Sequence, residues 1–184
     1  MKKNLMRIFT ALLLIFLHIT LQAMPNVADT LSFPATWVGN WRGNLHIYNA
    51  TGKTQTIPMQ LCIAQQDSIY TWNIIYGEDA KDNRLYHLLT LDATKGYYLL
   101  DEQNSIRMEH YFIGDKLYSW FTVQGTQLLS TTALVGDSLI YEIVFGNNVA
   151  VSKTGNQQVN GEDIPTVETF PIKGVQKATL HRQD

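Results

Sequence analysis

The chain has 184 residues, 14 Lys and Arg against 16 Asp and Glu, and 45% hydrophobic residues, which suits one folded domain with a sizeable core. Three basic residues and no acidic ones fall in residues 1–23, so the remainder carries 11 minus 16, or −5. With no basic cluster anywhere, composition counts against nucleic acid and anionic membrane surfaces as partners.

Residues 1–23 read as a cleavable signal peptide. Lys2, Lys3 and Arg7 precede an apolar stretch from Ile8 to Leu21, and Leu21-Gln22-Ala23 offers a cleavage site. The apolar stretch is broken by His18 and falls short of the roughly 20 residues that a spanning helix needs. No cysteine follows it to carry a lipid, so the expectation is a secreted or periplasmic protein with no stable membrane insertion after cleavage. Cys62 is the sole cysteine, which excludes an intrachain disulfide and suits a small apolar filler or, alternatively, a bridge to a second chain.

After a lead-in segment, residues 24–40, the remainder, 41–184, is read as a single β domain. Strands are predicted near 41–48, 54–64, 68–76, 84–92, 97–102, 106–113, 116–124, 126–135, 138–145 and 175–182, where β-branched and aromatic residues concentrate. Turn chemistry separates them, as at Gly114-Asp115 and Gly136-Asp137, where Gly supplies the backbone a two-residue hairpin demands. No sustained helical period follows residue 40, and parallel folds need crossover helices. Successive hairpins predict an all-β antiparallel meander, closed into a barrel of about 8–10 strands so that no edge is left exposed. A two-sheet sandwich is the alternative. Residues 146–174 form a long loop rich in Asn, Gln, Gly and Lys, expected to cover one mouth or pack along the wall.

A period of two sets Trp41, Gly43, Leu45 and Ile47 inward, followed by Ile57, Met59, Leu61 and Ile63, then Tyr70, Trp72, Ile74 and Tyr76. Strand 116–124 carries aromatics on both faces, Tyr118 and Trp120 against Phe121, and is expected to be covered outside by the long loop or a second subunit.

Gly39-Asn40-Trp41 at the start of the first barrel strand resembles the Gly-x-Trp of lipocalins and the wider calycin group. The resemblance implies a lipocalin-like barrel in which Trp41 packs across the closed end near a basic residue of the last strand. Arg182 is the best match and Lys177 the weaker one, with Phe33-Pro34-Ala35-Thr36 capping that end. The whole chain also looks like small secreted lipocalin-like proteins of Bacteroidetes-type bacteria.

Candidate cavity-lining residues are Trp72, His87, His110 and Tyr141. His87 alternates with Leu85, Leu89 and Leu91, and His110 with Ile106, Met108 and Phe112, so both are expected on apolar inner faces. A buried imidazole needs a partner, and Tyr141 could supply one. Such groups form either a satisfied core network or polar anchors in an apolar cavity, with an axial haem ligand as a further alternative. Asp101-Glu102 points its carboxylates to opposite faces and reads as solvated turn chemistry, so no metal site is assigned. No Gly-x-Ser-x-Gly, His-Glu-x-x-His or phosphate loop occurs, and no catalytic residue or cofactor is assigned. The leading expectation is a non-catalytic barrel binding a small apolar or amphipathic molecule. The alternative is a barrel filled by its own side chains that acts through its surface on a protein partner, a second copy included.

Overall fold

The computed structural model describes residues 32–184; the signal-peptide reading lies outside them. After one turn of 3-10 helix, Ala35–Trp37, the strands run β1 (Gly39–Asn49), β2 (Gly52–Gln66), β3 (Ile69–Tyr76), β4 (Asp82–Asp92), β5 (Tyr97–Asp101), β6 (Arg107–Ile113) and β7 (Lys116–Val123). They continue as β8 (Thr126–Val135), β9 (Ser138–Asn147), four short strands, β10 (Ser152–Thr154), β11 (Gln157–Val159), β12 (Glu162–Ile164) and β13 (Val167–Thr169), and finally β14 (Gly174–Gln183). Each of β1 to β8 pairs with the next, and β14 closes the ring between β9 and β1. The result is a closed ten-strand antiparallel meander barrel. Closure pairs every long strand on both sides, which removes the free edges that a flat meander would expose.

The inner face follows the alternation. Trp41, Leu45, Met59, Leu61, Ile63, Trp72, Ile74, Leu88, Leu139 and Leu180 are all buried in one core. Register carries this facing from strand to strand: Trp41 stands opposite Leu61 on one side and Arg182 on the other, and Trp72 stands opposite Tyr86. A slip of one residue would turn each of these inner faces out to solvent.

One end of the barrel is sealed. Phe33 stacks on Phe112, with ring centroids 4.5 Å apart, and meets Trp37 edge-on at 4.6 Å and Tyr98 at 4.9 Å. The Trp41 indole, 1% exposed, donates from Nε1 to the Trp37 carbonyl at 2.9 Å. The Arg182 guanidinium lies over the same indole, 4.2 Å from its centroid, and donates to the carbonyls of Val38 and Thr36. Gly39, at φ +149°, leaves room for that guanidinium, since a Cβ there would strike Arg182 Nη1. Lys177, the weaker sequence candidate, points outward to Glu142 at 2.8 Å.

Residues 148–173 are a paired ribbon rather than an irregular loop. β10 pairs with β13 and β11 with β12, around an Asn160-Gly161 turn with positive φ at both positions. Its strands are exposed throughout, so it neither plugs the mouth nor buries a face along the wall.

The sealed end generates a stability prediction. Trp41→Ala should destabilise by about 3–5 kcal/mol, as expected for loss of a core tryptophan. Arg182→Ala should lose about 0.5–1 kcal/mol, the usual worth of a cation–π contact at an exposed site. In a urea-denaturation double-mutant cycle the two losses should be less than additive. Purely additive losses would disconnect Arg182 from the indole.

Candidate ligand-binding site

The barrel interior above the sealed end holds a cavity of about 1150 Å³ that opens at the other end. Its apolar lining comes from inward positions of most strands, among them Leu45, Ile57, Trp72, Leu100, Leu117 and Ile143. The rim carries Asp82 and Asn83 from the start of β4, Gln103 and Asn104 from the β5–β6 turn, and Arg107 from the start of β6. Trp72 forms part of the floor and also touches the plug, with its ring 6.1 Å from that of Trp37.

His110 and Tyr141 line the same cavity and are buried, but they are not each other's partners. His110 Nδ1 lies 3.0 Å from the Met108 carbonyl of its own strand. Burial pushes the imidazole below its ordinary range, against a smaller opposing effect of that carbonyl. Tyr141 has the Tyr76 hydroxyl beside it, and burial holds its own hydroxyl well above the usual tyrosine range. Tyr86 is pushed up to about 12, first by burial and then by the Glu102 carboxylate. Both inner imidazole and inner phenols are therefore uncharged at neutral pH.

His87 is a correction. It stands on the outer face of β4, opposite Thr71 and Asp101, and takes no part in the cavity. The apolar residues that share its face, Leu85 and Leu91, are 55% and 47% exposed, while Tyr86 and Leu88 fill the inner face. β4 is apolar on both sides, so alternation alone does not decide its facing; the pairing of Tyr86 with Trp72 does.

Sequence reasoning passed over the rim's most polar member. Arg84 lines the mouth, its Nε 2.9 Å from Asp82 Oδ1 and its Nη2 3.1 Å from Oδ2, with the guanidinium 5.0 Å from the Tyr76 ring centroid. Its parity with Tyr86 and Leu88 was the available signal. Two acidic residues, Asp82 and Glu102, and two basic ones, Arg84 and Arg107, line the cavity, so the rim is balanced. Arg107 is itself paired with Asp101 at 3.0 Å. The adjacent Asp101 and Glu102 diverge, with Asp101 facing outward to Arg107 and the Gln103 amide while Glu102 turns to the mouth. Among the described residues no three His, Cys, Asp or Glu side chains gather as a metal site.

No protein-family model and no curated protein matches the sequence. Solved structures similar in shape include the following two. One is a protein of unknown function of the DUF3598 family from Nostoc punctiforme, with a TM-score of 0.54 and 13% identity over 79% of this chain. The match spans 47% of that protein's chain, so this chain accounts for about half its length. The other is an S-type phycobiliprotein lyase from Guillardia theta, with a TM-score of 0.48 and 11% identity over 80% of this chain and 88% of that one. At such an identity the first likeness is one of fold.

The buried imidazole sets a pH dependence. Its folded pKa lies below the unfolded value of about 6.5, so between the two the unfolded chain holds more protons and stability rises with pH. Its contribution is complete above about 6.5 and is lost as pH falls through the folded value. Urea midpoints should therefore fall between pH of about 7.5 and about 5, and fall less steeply in His110→Gln, which cannot take up that proton. Equal slopes for the two proteins would show that His110 is not held neutral.

Proposed function

We propose that the protein is a non-catalytic barrel that binds a small, uncharged amphipathic molecule, polar end at the mouth and apolar body toward Trp72. The observation that carries this reading is the cavity of about 1150 Å³, closed at one end and open at the other, with an uncharged interior. Its size sits just above the roughly 300–1,000 Å³ typical of small-molecule sites, and its mix of apolar walls with a few polar groups is theirs too. An ionised carboxylate carried inside would find Arg84 already engaged by Asp82, and burying an unpaired charge is costly. The hydroxyls of Tyr76, Tyr86 and Tyr141, with those of Ser130 and Thr132, suit a neutral hydrogen-bonding group instead.

Export belongs to the same proposal. Support comes from Lys2, Lys3 and Arg7 ahead of the apolar stretch that ends at Ala23. N-terminal sequencing of exported protein should begin near Met24; an intact residue 1–20 segment in a membrane fraction would contradict it.

Displacement of a bound hydrophobic fluorophore tests the ligand class. A long-chain primary alkanol should displace it at concentrations at least tenfold lower than the carboxylic acid of equal length at pH 8, a difference of about 1.4 kcal/mol. Asp82→Asn, which leaves the Arg84 charge unmatched, should narrow that gap. Tighter binding of the acid would overturn the charge argument, and no saturable binding of any probe would overturn the ligand-binding reading itself.

A further inference from the structure

The chain satisfies only half of the His110 ring. Its Nδ1 lies 3.0 Å from the Met108 carbonyl. A carbonyl oxygen only accepts, so Nδ1 carries the proton of that bond. Burial keeps the imidazole neutral, and a neutral imidazole has a single N–H. Nε2 is therefore a bare lone pair. Among the described residues every fully enclosed side-chain nitrogen or oxygen has a partner and Nε2 has none, so Nε2 reaches open space. His110 lines the cavity and is 8% exposed, so that space is the cavity.

The position lies well below the mouth. On β6 His110 stands between Arg107 at the rim and Phe112 of the plug, roughly 10 Å along the strand from Arg107 at the usual rise. The hydroxyls flanking it are already committed. Tyr98, opposite on β5, donates to the Phe33 carbonyl at 3.4 Å. Ser119 on β7, buried beside it, donates to the Glu109 carbonyl at 2.7 Å. The tyrosines and Arg84 of the mouth are not its partners either, since burial and the Met108 carbonyl alone bear on its protonation.

We infer that the guest of this cavity carries a second polar group, a hydroxyl or an amide N–H, that donates to His110 Nε2 part-way down the barrel. The inference rests on the ligand-binding reading and narrows its ligand class from a molecule with one polar end to one with two separated polar groups. An acceptor left without a donor is costly once the space around it is dry. A wholly apolar body drawn down the barrel would strip water from Nε2 and put nothing in its place. An ether or carbonyl oxygen there would set one lone pair against another. A cationic amine would bury its charge with no carboxylate acting on that site. A neutral donor meets none of these objections.

Displacement of a hydrophobic fluorophore from the purified protein by three probes tests this: a long-chain primary alkanol, the α,ω-alkanediol and the mono-methyl ether of that diol. Over a series of chain lengths the best diol should displace the fluorophore at concentrations roughly tenfold lower than the best ether, although the ether is the more hydrophobic. His110→Phe should erase that preference. Nitrogen-15 spectra of the histidine rings give a readout that does not depend on a variant folding. In the free protein His110 should show a protonated Nδ1 and a bare Nε2, and the diol, but not the ether, should move the Nε2 resonance toward the protonated range. Displacement by the alkanol with the ether equal to or better than the diol overturns this inference and leaves the ligand-binding reading standing. A protonated Nε2 in the free protein also overturns it. Displacement by none of the three overturns both.

Discussion

The burial of the Trp41 indole between the Arg182 guanidinium and the lead-in segment is the packing on which the closed end of this barrel depends. The two residues stand opposite each other on β14 and β1, the last and first strands of the ring, so their contact reinforces the seam where the meander closes. The same guanidinium donates to the carbonyls of Thr36 and Val38, which ties the short lead-in segment to that seam. Trp41 in turn holds Trp37 by its indole N–H. Closure of the sheet and sealing of one end are thereby coupled, and Gly39 is the residue whose lack of a side chain permits both.

Sealing one end makes the barrel asymmetric. Phe33, Trp37, Trp72 and Phe112 fill the lower barrel with rings that contact one another, while the upper barrel has aliphatic side chains, tyrosines, His110 and Phe121 around open space. Barrels of this size can be filled by their own side chains. Here the large rings that would do so are concentrated at the plug or turned outward, as Trp120 is. The polar groups that remain inside are kept neutral by the burial that surrounds them, while at the rim Arg84 is paired with Asp82 and Arg107 with Asp101. A neutral amphipathic guest matches that gradient.

Most of the architecture was legible in the sequence because it is written in local chemistry. Turn residues such as Gly114-Asp115 and Gly136-Asp137 mark the hairpins, and all ten predicted runs correspond to barrel strands. The pairing of Trp41 with Arg182 was also legible, since the candidate basic residues on the last strand were few and Lys177 has the opposite parity. Facing failed where a strand is apolar on both sides. β4 presents Leu85, Leu89 and Leu91 on one face and Tyr86 and Leu88 on the other, and only a non-local partner, Trp72, selects between them. His87 went outward with its leucines, and Arg84 came to the mouth by the same inversion. The ribbon was missed because its polar composition resembles a loop, although Asn160-Gly161 is the pair that a tight hairpin turn requires.

The central claim is that the upper barrel is a site for a guest and not merely an incompletely filled core. A crystal structure of the protein grown with a long-chain ω-bromoalkanol tests it most directly, because the bromine is located by its own anomalous signal. One bromine peak is expected deep in the barrel near Trp72 and Leu117, with the hydroxyl toward Tyr76, Tyr86 and Tyr141. Side chains packed across the interior with no bromine among them, or bromine found only on the outer wall, would contradict it.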